Sequence, residues 1–411
     1  MTNNEKQNST QLSLLEEEEI QIIIQHWIRT LNIKLGWIMI LTKLVVNYAS
    51  TIFMLNTFCS SSKLLKIFSK HNGTVYSIDY STLDDNQLIC SGSQDKTVYV
   101  WNVDTNQQIQ SFNGHSNIVY CVKFSPYHYH YHHRNVICSS SSDKTIRFWD
   151  FKDNQQLQIY NNHNDSIGGI EFSSFNGGRY LCSGSYNNLI YLYDVKTSKA
   201  LHVFNGHENS VWCIDISPLQ SNNSNKSNNI GVIGGNGYTI CSGSFDKTIR
   251  IWDIETTKQL ILFKGHDDYV WSVKYGSNKL ENIGANTILS GSEDKSVRLW
   301  DIRSGKLIQV FNGHTDYVNA VEYSPFEVNN IEVNCYSNVI CSGSNDNTIR
   351  FWDIRSNKNE LYLIKRDEGK GNGIFCLKFI QLKKNRKSNS DSSCGINLCY
   401  GSGNGNIFVW G

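Results

Sequence analysis

Residues 265–301 read GHDDYVWSVKYGSNKLENIGANTILSGSEDKSVRLWD, and the alternation in this stretch decides the fold. After Gly265-His266, the run Val270-Trp271-Ser272-Val273-Lys274-Tyr275 alternates as a period-two strand. Thr287-Ile288-Leu289-Ser290-Gly291-Ser292 makes a second strand, Glu293-Asp294-Lys295 a polar turn, and Ser296-Val297-Arg298-Leu299-Trp300 a third. A fourth strand, Lys306 to Phe311, leads into the next Gly-His pair at Gly313-His314. Four short antiparallel strands form a small sheet, or blade, that cannot bury both of its faces alone. Copies stacked in a ring cover one another and leave only short edges.

The copies are present. Gly-His and Trp-Asp pairs recur at Gly114-His115 with Trp149-Asp150, at Gly206-His207 with Trp252-Asp253, and at Gly313-His314 with Trp352-Asp353. Weaker copies are Lys70-His71 with Trp101-Asn102 and Asn162-His163 with Tyr193-Asp194, and a last unit ends at Trp410-Gly411. From each Trp or Tyr to the next His is 14 residues, five times in succession, and from the turn Asp to the Trp is always six. The His-to-Trp distance instead varies between 30 and 45, so insertions are confined to one loop of a fixed unit.

Composition agrees. The 38 Lys+Arg nearly balance 37 Asp+Glu, so no global charge pulls the chain toward nucleic acid or a membrane surface. All three prolines (Pro126, Pro218, Pro325) follow a serine at one repeat position. Cysteines are locked to repeat positions as well: Cys90, Cys138, Cys182, Cys241 and Cys341 at one, Cys121, Cys213 and Cys376 at another. Such placement reads as small buried hydrophobes, not as disulfides or zinc ligands. With no CxxC and no secretory signal, the chain reads as reduced and intracellular, cytoplasmic or nuclear.

These repeats resemble the WD-repeat family from about Lys63 to Gly411. The resemblance implies an all-β, seven-bladed propeller of four-stranded antiparallel blades. It also implies a buried tetrad per blade, in which His, a strand Ser, the turn Asp and the Trp are hydrogen bonded. Carried over, the tetrads are His71, Ser91, Asp95, Trp101; His115, Ser139, Asp143, Trp149; His207, Ser242, Asp246, Trp252; His266, Ser290, Asp294, Trp300; and His314, Ser342, Asp346, Trp352. Blade three departs from the pattern, with Asn187 for Asp and Tyr193 for Trp beside His163 and Ser183. Blade seven lacks the Gly-His and has Tyr400 for Ser and Asn404 for Asp. The chain stops one residue after Trp410, so blade seven needs a fourth strand from elsewhere. Residues 63–68 (Lys63 to Phe68) match the strand before each Gly-His and are expected to supply it.

Residues 1–62 stand outside the repeats as a mainly helical extension. Ser13 with Glu16 forms a capping-box pattern ahead of the run Ile20 to Leu31. Leu35 to Phe58 is largely apolar but is interrupted by Lys43 and Asn47. It therefore reads as helix packed on the propeller or on a helical partner in preference to a membrane span, which needs ~20 predominantly apolar residues. The joints Tyr127 to His133, Ser221 to Asn229 and Lys383 to Ser393 are of low complexity and read as flexible loops. His128, His130, His132 and His133 could ligate a metal, but loop composition explains them more simply, and no metal is assigned.

No catalytic constellation appears. His, Ser and Asp recur together at structural spacing, whereas a nucleophile is needed once. No phosphate loop is present, and no cofactor or small-molecule substrate is expected. The functional reading is a non-enzymatic scaffold for proteins or peptides. Its expected docking face carries Tyr76, Tyr120, Trp212, Tyr269, Trp271, Tyr317 and Phe375, with Tyr186 and Phe245 before the turn Asp. Two alternatives remain. The WDIR runs with Arg303 and Arg355 are similar to an element by which WD-repeat substrate receptors join cullin-type ubiquitin ligases. A Gβ-like signalling subunit would pair residues 1–62 with a helical partner. Only short basic runs such as Lys383 to Lys387 favour nucleic acid.

Overall fold

Six four-stranded antiparallel sheets are meanders of consecutive blade strands, and a seventh takes its outer strand from the other end of the repeat region. A computed structural model describes residues 54–60, 62–217, 238–276, 286–325, 328–330, 333–335, 338–355, 360–365, 373–382 and 396–411. Blade one is Val75–Leu83, Asn86–Ser93, Val98–Asn102 and Gln107–Phe112. Blade five, the opening stretch of sequence, is Val270–Tyr275, Thr287–Ser292, Ser296–Asp301 and Lys306–Asn312. Blade seven joins Ile374–Gln381, Ile396–Ser402 and Asn406–Trp410 to Leu64–Ser69. Leu64–Ser69 runs antiparallel to Asn406–Trp410, pairing Ile67 with Phe408 and Ser69 with Asn406. Backbone bonds from Lys63 to Gly411 and from Gly411 back to Lys63 seal the end.

The core lies between blades, not within them. Seven apolar clusters each join the faces of two neighbours. In one, Cys241, Ile251 and Phe263 of blade four meet Val270, Val273, Ile288 and Trp300 of blade five. Stacking this close requires glycine on the second strand. A Cβ on Gly291 would lie 2.8 Å from Val318 Cγ1 of the next blade, which a filled core cannot absorb.

Seven inner strands ring the centre, and each carries a register shift between its first and third residues in blades one, two, four, five, six and seven. In blade three the shift extends from Ile167 to Ile170. A bulge takes a residue out of the ladder and re-aims its side chain. The residues so placed are Tyr76, Tyr120, Gly168, Trp212, Trp271, Asn319 and Phe375.

Two segments differ from the sequence reading. Tyr127 to His133 is no loose loop: Pro126–His132 is a short helix, with proline in its first turn and Tyr127 and His128 buried. Residues 54–60 are helical and belong with the propeller, where Leu55 and Phe58 join the cluster between blades six and seven. By compactness the chain divides into Met54–Phe326 with Tyr336–Gly411, and Met1–Phe53 with Glu327–Cys335. In the second unit Val328–Asn330 and Val333–Cys335 form an antiparallel hairpin. The readings on Ser13 to Phe53, Ser221 to Asn229 and Lys383 to Ser393 lie outside the described residues. Among the described residues no helix is long and apolar enough to cross a membrane.

Candidate functional site

Five blades bring His, Ser, Asp and Trp together in one geometry. In blade five His266 Nδ1 lies 2.7 Å from Asp294, His266 Nε2 2.7 Å from Ser290 Oγ, and Trp300 Nε1 2.8 Å from the same oxygen. The indole can only donate to Ser290 Oγ, and the ionised Asp294 can only accept from His266 Nδ1, so the neutral ring accepts at Nε2 a hydrogen bond donated by the Ser290 hydroxyl. His266 is then the neutral tautomer with its proton on Nδ1, donated to Asp294. The same contacts link His71, Ser91, Asp95 and Trp101, and His115, Ser139, Asp143 and Trp149. They recur in His207, Ser242, Asp246 and Trp252, and in His314, Ser342, Asp346 and Trp352.

Burial opposes the charge on each of these aspartates. Hydrogen bonds from His, from a hydroxyl two residues on and from the backbone N–H after the His outweigh it, holding the carboxyl well below the usual range. That hydroxyl, Thr97, Thr145, Thr248, Ser296 or Thr348, completes each set. It is legible in sequence as Asp-x-Thr/Ser, a signal the four-residue reading passed over. Burial also lowers the His115, His207 and His266 pKa values against the pull of their aspartates.

Blade three lacks this arrangement. His163 reaches Ser183 Oγ at 2.9 Å, but His163 Nδ1 and the Tyr193 hydroxyl are buried with no hydrogen-bond partner among the described residues. Burial alone takes His163 down to about 4. In blade seven Trp410 Nε1 is likewise buried without an acceptor among the described residues.

The bulged residues and the pre-turn residues form an aromatic collar around one mouth of the central channel. Phe375 meets Tyr76 edge-on at 5.6 Å, Tyr76 meets Tyr120 at 5.4 Å, and Tyr120 meets Trp212 at 5.0 Å. Trp212 meets Trp271 at 4.9 Å, Tyr186 lies 5.9 Å from Phe245, and Phe245 stacks on Tyr269 at 4.5 Å. Gly168 leaves room for this: a Cβ there would lie 2.6 Å from the Trp212 carbonyl oxygen. The collar opens at blade six, where Asn319 takes the bulge position and bonds the Ile374 carbonyl. Tyr317 is exposed beside the gap, and the nearby Glu293, which holds the Tyr317 pKa up, accepts from Trp271 Nε1 at 3.2 Å.

Below the collar lies a cavity of about 490 Å³. Its wall carries Lys123, Glu171, Lys274, Glu322 and Lys378, each at the same position of its repeat, which the sequence reading did not single out. Lys123 pairs with Glu171 and Lys378 with Asp79. Burial opposes the charge on Lys123, but Glu171 and Asp79 overrule it and hold its pKa up. Burial pushes Asp215 up to about 6 against the attraction of Lys274. Lys274 also feels Glu322.

The remaining candidates separate. His128 turns inward to Ser125 Oγ at 2.8 Å, with the exposed His132 ring 6.2 Å from its own, while His130 and His133 are exposed as well. Among the described residues no group of three or more His, Cys, Asp or Glu side chains could hold a metal ion. Arg303 and Arg355 follow the third strands, at the blade end opposite the collar. The backbone N–H of each donates to the Asp two residues before it, Arg355 also turns its guanidinium to Asp353, and Arg303 is exposed.

Comparison with known proteins adds a family match. The model described as "WD domain, G-beta repeat" matches residues 62–102, 106–150, 154–194, 198–253, 257–301 and 305–353. Each match begins near the outer strand of one blade and ends with the third strand of the next. A stretch of 63 residues is 36% identical to the peroxisomal targeting signal 2 receptor of Mus musculus and to that of Homo sapiens. The stretch covers 15% of this chain, and the chain spans only 20% of the length of these curated relatives.

Proposed function

This chain belongs to the WD-repeat family, and from that premise we propose that it is a non-enzymatic scaffold whose aromatic collar docks proteins or peptides. The observation that carries this reading is the unbroken run of ring contacts from Phe375 through Tyr76, Tyr120, Trp212, Trp271 and Phe245 to Tyr269. All but Tyr317 of the nine collar residues are half-buried, so their rings are held in place yet still offer a face. Rigid aromatic anchors of this kind lose little entropy on binding. The likeness to a receptor for a targeting signal, over a short stretch, supports a peptide as the partner class.

The His-Ser-Asp sets support a structural role. Each Ser oxygen is fully buried and already accepts from Trp, so no substrate reaches it. The described cysteines are all free, which suits a reducing compartment such as cytoplasm or nucleus. Of the two WDIR runs only Arg303 is exposed, so a ligase-adaptor role would rest on that residue.

Affinity capture with mass spectrometry on the parent and on a Trp212→Ala, Phe245→Ala, Trp271→Ala variant tests the proposal. The variant is expected to lose the partners that the parent retains. A variant that folds and keeps every partner places the docking surface elsewhere.

A further inference from the structure

Where the aspartate that ends a third strand is buried, the chain supplies an arginine to it, with one exception. Asp150, Asp194, Asp253 and Asp353 are all at most 4% exposed. Arg134 Nε lies 3.5 Å from Asp150, Arg355 Nε lies 3.3 Å from Asp353, and Arg179 holds Asp194 through two bonds of 2.9 and 2.7 Å. Asp253, which ends Ile249–Asp253 in blade four, pairs with no lysine or arginine among the described residues. The three arginines come from three different places in the repeat, and blade four puts a cation in none of them. Gly237 stands in the place of Arg134, Tyr238 in that of Arg179, and Glu255 in that of Arg355.

Asp253 instead lines a cleft of about 210 Å³ between blades three and four, at the blade end opposite the collar. That is room for one side chain, below the ~300–1,000 Å³ of pockets for drug-sized ligands. Phe175, Tyr180, Tyr238 and Leu201 form its walls, and the Phe175 and Tyr238 rings lie 4.0 Å apart. The exposed Glu255 adds a second carboxylate beside His202, and no lysine or arginine is in the lining. A carboxylate offers about four acceptor sites, and Asp253 uses two, for the Glu255 N–H at 3.3 Å and the Thr256 hydroxyl at 2.6 Å. Asp194 shows what the remaining sites can hold. It accepts the Lys196 N–H and still takes Arg179, whose guanidinium lies 5.5 Å from the Tyr180 ring centre.

We propose that this cleft docks an arginine of a partner protein, whose guanidinium fills the place on Asp253 that the chain leaves empty and lies against Tyr238. The site is separate from the collar and does not depend on it. A buried carboxylate binds a planar guanidinium through paired hydrogen bonds, and the aromatic wall attracts its charge. A neutral side chain of the same shape gains neither.

The test titrates the full chain with acetyl-Gly-Leu-X-Leu-Gly-amide, X being arginine or its neutral isostere citrulline, and follows the methyl shifts of Leu192, Leu201 and Ile254 in the cleft. The arginine peptide is expected to bind about tenfold tighter than the citrulline peptide. Asp253→Asn should bring that ratio toward one. Tyr238→Arg should do the same by filling the site from within, as Arg179 does on Asp194, and should hold or raise Tm. Either variant suffices if the other does not fold, and the parent ratio read at the cleft methyls decides alone if neither does. A ratio near one in the parent, cleft methyls that do not shift, or a ratio unchanged in the folded variants overturns the proposal. The triple alanine variant of Trp212, Phe245 and Trp271 should keep the ratio; a ratio lost there places the arginine in the collar and overturns it too.

Discussion

At the residue scale the tetrads act as one unit, and a missing member strands its neighbours. Ser290→Ala would leave Trp300 Nε1 and His266 Nε2 buried without partners, and should cost about 2–4 kcal/mol in chemical denaturation. Tyr193→Phe should do the opposite: it removes a buried hydroxyl that bonds nothing and leaves stability at or above the parent value. Equal losses in the two variants would contradict this account. The pH dependence follows from the same groups. The native pKa values of His115, His207, His266 and His163 lie below their unfolded value, so the unfolded chain binds protons first as pH falls through ~6.5, and stability declines there. The tetrad aspartates, depressed in the fold, add a further loss below ~4. Asp215, raised to about 6, works against the trend. Asn187→Asp should return a partner to His163 and flatten Tm against pH between 6.5 and 4; an unchanged slope would show that His163 is not the responsible group. The tetrads were legible because their spacing repeats. The stranded atoms of blade three were legible only as substitutions, since whether Asn187 or anything else reaches His163 depends on the fold around it.

At the element scale, blades and strands were readable from period-two runs, because both faces of each blade are buried against neighbours with the same pattern. The helix at Pro126–His132 was not, since its Tyr and His look like loop composition until the surroundings bury Tyr127 and His128. For residues 54–60 the sequence predicts a helix on the propeller or on a partner, without the contacts that hold it. Phe58 is 1% exposed and lies 5.9 Å from Phe351, and Tyr362 bonds the Cys59 carbonyl. Phe58→Ala should cost about 3–5 kcal/mol and lower Tm for the whole ring. Deleting 63–68 should be more damaging, because it unpairs blade seven. A truncation that melts with the parent would show that the strand contributes little to closure.

At the scale of the whole molecule, stability should be uneven around the ring. Blades three and seven lack the full tetrad, so their amides are expected to exchange fastest in hydrogen–deuterium mass spectrometry, with blade five among the slowest. Uniform protection would mean that inter-blade packing alone decides stability. The collar could be read from sequence because the bulge position recurs in each repeat. The charged wall also sits at one position per repeat, but its residues differ in sign, so no repeated residue type marked it. Ring closure also sets an order in time. Thr74 of blade one bonds the Gly403 carbonyl of blade seven across 329 residues, which at ~5–20 residues per second is roughly 15–70 s of synthesis. Throughout that interval Leu64–Ser69 waits with its edge unpaired and with Leu64, Leu65 and Ile67 facing water, as they still do in the finished ring. The first of the described strands is the last to be matched, so for a newborn chain the hazard lies in that delay, when a stranger's strand could take the seat.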